Sequence, residues 1–174
     1  MMNWSGGARQ RWKGFRIVQI KMITFSQVQK KDIPILAKIY ADAYNKEGEH
    51  WTSKTSQDIV EYRYKKSIKI KAIYNKKIVW AFFSDIKPLC CWNILNDGDV
   101  VMDPKYQKLW IGRQLFIYGI EYAIKKFHVV GWDFFTFKDS YQCDWYERIG
   151  FNVSNKWIMM SGKVTDVLKK LKQK

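Results

Sequence analysis

Cysteine and histidine are scarce in this chain. Of its 174 residues, three are cysteines and two are histidines, His50 and His128. Cys90 and Cys91 are adjacent and the third cysteine is Cys143, which is a poor arrangement for a disulfide framework or for a metal site of the Cys-x-x-Cys type. We therefore expect buried or partly buried free thiols and no metal.

Long apolar runs are also missing. No stretch approaches the roughly 20 uncharged apolar residues that a membrane span requires. The amino terminus carries Gly6 and Gly7 followed by Arg9, Arg11 and Lys13, and it lacks the apolar centre of a secretory signal. These absences argue against a membrane protein, and we expect a cytoplasmic location.

Acidic residues are few relative to basic ones. The chain has 31 lysines and arginines against 16 aspartates and glutamates, which gives a formal net charge of +15. Such an excess could favour nucleic acid, an anionic membrane surface or an anionic ligand. Most of the lysines are scattered, which favours a solvated surface over one that reads nucleic acid. Two blocks are denser: the first 31 residues hold no acid, and the tail 169–174 is basic.

The composition that remains is that of a folded protein. Apolar residues make up 47% of the chain and aromatic residues 17%, which argues against general disorder. The length suits one domain with a substantial core. Because Met22–Phe25 is a natural first strand, we expect residues 1–21 to be a basic extension, disordered or forming an extra strand, and residues 22–174 to be a single domain.

The periodicity of apolar residues predicts the order βααβββαβαβ, an α/β arrangement with a mixed sheet. The first helix opens at Asp32, with an acidic cap and a proline in the first turn. Asp97 and Gly98 predict a turn or bulge before the fourth strand. The other expected elements are strands over 67–74, 78–84, 129–137 and 157–160, helices over 56–66 and 111–127, and a short basic helix from 165.

The run from Asp99 to Gly112 predicts a strand, a tight loop and the first turn of a long helix. Residues 100–102 are apolar and β-prone, Pro104 ends any strand ladder, and apolar residues recur at helical spacing over 111–127. Backbone N–H groups in such a loop, together with the unpaired N–H groups and the dipole of the helix, form an anion site. The alternative is an ordinary strand–loop–helix without a ligand.

A second segment, Asp139 to Phe151, predicts a short helix and its end. Gly150 is expected to be the left-handed residue just past the helix, and Phe151 the start of a strand that packs on the core. Tyr146 then projects from near the end of the helix. Its alternative role is to pack on the core.

These two segments carry a resemblance to a known family. Gln107 and Gly112 stand where the pyrophosphate-binding loop of the GNAT acetyltransferases has Gln/Arg-x-x-Gly-x-Gly/Ala, and residues 146–151 are similar to the family's Tyr-Glu-Lys-x-Gly-Phe. The resemblance covers about 22–160. It implies an α/β (α+β) fold with a mixed, mostly antiparallel central sheet flanked by helices, and with strands that splay at the cofactor. The implied activity is N-acetyl transfer from acetyl-CoA to a primary amine, by direct attack in a ternary complex.

The resemblance also implies residue roles. Tyr146 would be the general acid that protonates the departing thiolate, and a backbone N–H near Val101 or Met102 would hold the oxyanion. Two positions depart from the family pattern: Trp110 replaces its first glycine, and Asp139 replaces an asparagine that contacts the pantetheine arm. The full set expected at the cofactor is Val101, Met102, Gln107, Lys108, Leu109, Trp110, Ile111, Gly112, Arg113, Asp139 and Tyr146.

Direct attack requires a neutral amine, yet a free alkyl amine has a pKa of about 10, so a base must help to remove a proton. By resemblance, Asp97 and Asp99 are candidates for a water-linked catalytic base, and both could instead be turn residues. The loop between the first two helices forms part of the acceptor wall in relatives. Its residues Glu47, Glu49 and His50 are rival candidates for the base or for substrate binding.

Two other functions stay open. Because Trp110 and Asp139 depart from the pattern, the chain could be an inactive domain that binds or senses coenzyme A. Less favoured is a protein associated with nucleic acid through its basic ends. The expected partners are acetyl-CoA and an amine-bearing small molecule or peptide, with no membrane, and the acceptor is left open. Many relatives dimerise, so a homodimer is also open.

Overall fold

The computed structural model describes residues 23–66, 68–107, 109–154 and 163–172. They fall into two compact units, one reaching to Phe134 and the other starting at Phe135. The expected extension 1–21, the loop residue Lys108 and the expected last strand over 157–160 lie outside the described residues.

A five-stranded sheet organises the first unit. The strands are β1 Ile23–Gln27, β2 Ile68–Tyr74, β3 Lys77–Pro88, β4 Asn93–Met102 and β5 Val129–Asp133. They lie in the order β1-β2-β3-β4-β5, and every neighbouring pair is antiparallel except β4 and β5, which are parallel. The predicted mixed, mostly antiparallel sheet is confirmed.

Three helices complete this unit: α1 Ile33–Lys46, α2 Ser53–Tyr64 and α3 Ile111–Phe127. Both predicted ends of α3 are correct. The second helix begins at Ser53 rather than Ser56, because the Thr52 hydroxyl caps it by accepting from the N–H of Thr55. Within the described ranges, no helix is both long enough and apolar enough to cross a bilayer.

The sheet is covered on both faces. Neighbouring residues of β3 point to opposite sides, so Phe83 packs with α1 and α2 while Phe82 packs with α3. The α1 side of the core contains Leu36, Tyr40, Val60, Ala81 and Val101. The α3 side contains Ile68, Ile70, Leu95, Ile111, Leu115 and Ala123.

Asp32 stands at the start of α1 as predicted, but its carboxylate does not cap that helix. It accepts a hydrogen bond of 2.7 Å from the backbone N–H of Gln29 and forms a buried ion pair with the Lys71 ammonium of β2. The pair ties the start of α1 to the sheet. A buried carboxylate requires such a partner because the loss of hydration would otherwise favour its neutral form.

The second unit contains α4 Tyr141–Arg148 and α5 Val164–Lys172. Gly150 has the predicted left-handed conformation, with φ of +108°. Its N–H bonds the carbonyl of Glu147, the N–H of Phe151 bonds that of Tyr146, and the two rings of Tyr146 and Phe151 meet edge to face at 5.8 Å. This is a Schellman motif with its usual apolar contact.

Two strand predictions were wrong, one about where a strand starts and one about where a strand ends. Phe151 does not start a strand, and residues 151–154 are irregular, because its N–H is engaged in closing α4. Strand β5 ends at Asp133 rather than Phe137. Conversely, β3 continues past Ser84 to Pro88 and forms a long hairpin with β4.

Candidate functional site

The parallel strands β4 and β5 part halfway along β4. Pairing runs from Asn93 opposite Val129 to Asn96 opposite Asp133, where β5 ends. Residues 97–102 of β4 therefore have β3 on one edge and no described strand on the other. The bulge predicted at Asp97 and Gly98 lies where the strands part, with positive φ at both residues. An edge of unpaired backbone groups is a template for an extended ligand.

The register shows which backbone groups face this gap. The N–H of Asp103 donates to the carbonyl of Val79, so it points toward β3. Successive residues of a strand present their N–H groups to opposite edges. The N–H groups of Met102 and Val100 therefore face the gap, whereas that of Val101 faces β3. Of the two candidates for the oxyanion donor, only Met102 presents its N–H to the gap.

The chain runs from β4 through a short loop into the amino terminus of α3. The first i→i+4 bond of the helix is donated by Gln114 to the carbonyl of Trp110. The N–H groups of Ile111, Gly112 and Arg113 thus have no partner within the helix, and the helix dipole adds positive potential there. N–H groups in this arrangement can bind an anion where a ligand reaches them.

Trp110 precedes α3 with φ of +61°, a left-handed conformation that glycine adopts most readily. The indole is 53% exposed, with the guanidinium carbon of Arg113 5.9 Å from its ring centroid. The large side chain is therefore directed outward from the fold.

Gly112 is buried against the indole of Trp80 on β3. A Cβ at Gly112 would lie 2.1 Å from Cη2 and 2.4 Å from Cζ3 of that indole. Packing alone thus requires glycine here, independently of any phosphate. The Nε1 of Trp80 is buried and finds no hydrogen-bond acceptor among the described residues.

The remaining loop residues divide between core and surface. Ile111 is buried in the core, and the partly buried Leu109 packs against the same core cluster. The amide oxygen of Gln107 accepts a hydrogen bond of 3.0 Å from the Lys46 ammonium of α1. That contact fixes the loop against the end of α1.

Asp97 and Asp99, the two candidate bases of β4, are both paired with Arg63 of α2. The Nη1 of Arg63 lies 2.7 Å from Oδ2 of Asp97, and its Nε contacts Oδ2 of Asp99. The Tyr40 hydroxyl of α1 donates to the same oxygen of Asp99 at 3.0 Å. Side chains from both covering helices therefore hold the bulged segment of β4.

This pairing shifts the proton affinities of the cluster. Burial disfavours the charged form of Asp97, but the hydrogen bonds from Arg63 and from the Gly98 N–H outweigh it, and the pKa of Asp97 is lowered. Burial and the neighbouring Asp99 raise the pKa of Tyr40 well above its ordinary value. Asp97 is accordingly a weaker proton acceptor than an isolated carboxylate.

The loop between α1 and α2 forms a cleft of about 330 Å³. Glu49 and His50 line it together with Asn45, Gly48, Trp51 and Thr52, whereas Glu47 does not. The loop is braced by the amide of Asn45, which accepts from the Trp51 N–H at 2.6 Å and donates to the Trp51 carbonyl at 3.1 Å. The Trp51 indole in turn donates to the Glu49 carboxylate at 2.6 Å.

Aromatic rings connect this cleft to the carboxylate cluster. Trp51 stacks on Tyr44 with centroids 4.7 Å apart, and Tyr40 lies 6.2 Å from Trp51. Because the Tyr40 hydroxyl bonds Asp99, a single ring separates the loop from β4. A series of contacts through Trp51 and Tyr40 thus links Glu49 to Asp99.

Tyr146 and Asp139 belong to the second unit. Tyr146 is half-buried on α4, in ring contact with Trp145 at 5.2 Å as well as with Phe151. Asp139 is exposed, has φ of +56° and immediately precedes Ser140, whose hydroxyl caps α4. Tyr146 therefore has a local packing role.

The expectation of buried or partly buried thiols was wrong for two of the three cysteines. Cys90 and Cys91 are exposed in the β3–β4 turn, and Cys143 is partly buried on α4. Sequence reasoning also missed Arg63 and Tyr40. Arg63 follows Ser56 and Val60 on the buried stripe of α2, and a charged residue in such a stripe signals a buried partner.

No protein-family model and no curated protein sequence matches this chain. Solved structures do resemble it. A possible acetyltransferase from Clostridium difficile 630 superposes with a TM-score of 0.70 at 18% identity, covering 82% of this chain and 98% of its own. The ribosomal-protein-S18-alanine N-acetyltransferase from Escherichia coli gives 0.59 at 21% identity, covering 77% and 80%. An aminoglycoside N-acetyltransferase in complex with CoA gives 0.63 at 9% identity, covering 81% and 95%. The fold is that of the GNAT acetyltransferases.

Proposed function

We propose that this chain, which has the GNAT acetyltransferase fold, is an N-acetyltransferase that moves an acetyl group from acetyl-CoA to a primary amine. The observation that carries the proposal is the parting of β4 from β5 after Asn96, in the strand that leads to the start of α3, where three N–H groups have no partner within the helix. The extended pantetheine arm of acetyl-CoA could pair with the unpaired edge of β4, and its phosphates could bind at the helix amino terminus that follows.

The loop between β4 and α3 is proposed to bind the cofactor through its backbone. The N–H groups of Ile111, Gly112 and Arg113 are proposed to bind the pyrophosphate, with Gln107, Leu109 and Trp110 beside it. The pantetheine amides would pair with the gap-facing edge of 97–102. That one structure of this fold contains CoA supports the choice of cofactor.

The chemistry is direct attack in a ternary complex. The amine nitrogen attacks the thioester carbonyl, a tetrahedral oxyanion forms, and the C–S bond breaks to give an amide and a thiolate. The Met102 N–H is proposed to stabilise the oxyanion, because it faces the gap. Tyr146 is proposed to protonate the departing thiolate, and neutral CoA thiol is released.

Proton removal from the acceptor is assigned to the cleft rather than to β4. Arg63 pairs with Asp97 and Asp99, which weakens Asp97 as a base. Among the described residues Glu49 forms no ion pair, its carboxylate accepts from the neutral Trp51 indole, and it lines the cleft with His50. We therefore assign the base to Glu49, with His50 binding the acceptor, and assign Asp97 and Asp99 to positioning of β4.

Calorimetric titration with acetyl-CoA at physiological salt tests the cofactor site, and release of free thiol with a panel of amines tests turnover. The panel should include aminoglycosides, polyamines, lysine-containing peptides and peptide amino termini. We expect binding at one site and turnover with at least one amine. Binding without turnover of any amine would support a CoA-binding module instead, and failure to bind would overturn the proposal.

Glu49→Gln tests the base, with Glu47→Gln as its matched control on the same loop. A general base contributes about 10²–10⁴-fold. Glu49→Gln should therefore lower kcat/KM by at least about tenfold near neutral pH, while Glu47→Gln should leave it unchanged. If Glu49→Gln retains full activity, Glu49 is not the base.

A further inference from the structure

The turn between β3 and β4 holds two adjacent, exposed thiols. Pro88 pairs with Asn93, and the N–H of Leu89 donates to the carbonyl of Trp92 at 2.7 Å, so Cys90 and Cys91 are the two residues at the tip of the hairpin. Such loops are normally filled by Asn-Gly or other glycine-containing pairs. A Cys-Cys pair has no conformational advantage at this position.

The turn makes the two side chains converge. In an extended strand, adjacent side chains point to opposite faces. Here the sulfur atoms of Cys90 and Cys91 lie 3.5 Å apart, and both residues are exposed. The hairpin ladder on either side holds the backbone of the turn, which places the two Cβ atoms next to each other.

The spacing suits a bridging atom better than a direct disulfide. Cysteines in disulfides usually have Cα atoms about 4.4–6.8 Å apart, whereas consecutive residues are held at about 3.8 Å. Two thiolates bonded at about 2.3 Å to one centre lie about 3.4–3.8 Å apart for angles at that centre between about 95° and 110°, a range that includes pyramidal and tetrahedral centres. Soft thiolate ligands favour soft, thiophilic centres.

We propose that Cys90 and Cys91 form a dithiol site for a soft, thiophilic metal or metalloid centre such as trivalent arsenic. With phenylarsine oxide as the probe, two As–S bonds form, two S–H bonds and the As–O bond are broken, and one water molecule leaves. Arsenic stays trivalent, so neither oxidant nor reductant is needed. The site is independent of acetyl transfer.

The test is titration of the reduced protein with phenylarsine oxide in the absence of CoA, followed by intact mass measurement. Cys143→Ser should bind one equivalent as the wild type does, because its dithiol is intact. Cys90→Ser and Cys91→Ser keep only one thiol of the pair and should bind at least about 100-fold more weakly, since the second bond of a chelate forms at high effective concentration. Dithiothreitol should remove the adduct, and excess glutathione should not.

Circular dichroism melting of each variant checks that it folds. Because both tip residues are exposed, we expect little change in the melting temperature. The arsenical titration is repeated with Cys90→Ala and Cys91→Ala, which lack the hydroxyl that the serine variants introduce. The proposal is overturned if Cys143→Ser fails to bind the arsenical. It is equally overturned if either single substitution at the hairpin tip retains affinity within threefold of the wild type.

Discussion

Trp80 fills the space that a side chain at Gly112 would occupy. Its indole would lie 2.1 Å from a Cβ at that position, so the glycine in the first turn of α3 lets that helix approach β3. A substitution at Gly112 therefore tests packing before it tests phosphate binding.

Gly112→Ala should lower the free energy of unfolding by about 1–3 kcal/mol, because overpacking displaces the Trp80 ring. Trp80→Leu in the same chain should recover part of that loss, since the smaller residue makes room for the methyl group. Urea denaturation measures both. Gly131→Ala is the control, because its Cβ would meet Ile94 at an ordinary 3.4 Å and should change stability by about 0.5 kcal/mol at most. Additive effects of the two changes would contradict the contact.

Trp110→Gly should change stability by about 1 kcal/mol or less, because relief at a positive φ offsets the lost contacts of a half-exposed indole. The dissociation constant for acetyl-CoA should stay within threefold. Trp110→Val is the matched comparison and should be less stable, since a β-branched residue is strained at positive φ. Calorimetry showing at least tenfold tighter binding in the glycine variant would mean that the indole obstructs the site.

Arg63→Met should lower the free energy of unfolding at pH 7 by about 1–3 kcal/mol, a range that allows for the partial exposure of Asp97. The pKa of Asp97 is lowered by folding, so its contribution is present above the ordinary carboxyl pKa of about 3.9 and is lost as the pH falls through the folded value. Between pH 7 and pH 3 the wild type should lose more stability than the variant.

Lys54→Met is the control for Arg63. Its ion pair with Asp58 is on the same helix, but both side chains are more than half exposed, at 85% and 60%. Such a pair contributes little, about 0.2–1 kcal/mol. Urea titrations at several pH values should separate the two variants, and equal acid sensitivity would contradict a stabilising role for Arg63.

Tyr146→Phe should lower kcat by about 10²–10⁴-fold and leave the affinity for acetyl-CoA nearly unchanged. The ring contacts with Trp145 and Phe151 survive the change, so the variant separates the hydroxyl from its packing role. Tyr141→Phe on the same helix is the control, and single-turnover kinetics ensure that the chemical step is measured. If Tyr146→Phe shows single-turnover rates like those of the wild type, the hydroxyl is not the general acid and Tyr146 has a packing role.

Local patterns in the sequence determined the elements that carry the site. Apolar spacing gave both ends of α3, and the Asp97-Gly98 pair gave the bulge of β4. Gly150 predicted the end of α4, because glycine readily adopts the left-handed conformation found just past a helix. Helix periodicity, turn chemistry and left-handed residues depend on neighbours within a few positions, so the sequence itself contains their physical cause.

Only the tertiary structure determined which residues of these elements contact one another. The pairing of Arg63 with Asp97 joins residues 34 positions apart, and it turned two candidate bases into an ion-paired cluster. The contact of Trp80 with Gly112, the gap-facing N–H of Met102 and the convergence of Cys90 with Cys91 likewise depend on strand register and on the packing of helices against the sheet. Register and packing are fixed by burial summed over the whole core, and no local run of residues specifies that sum.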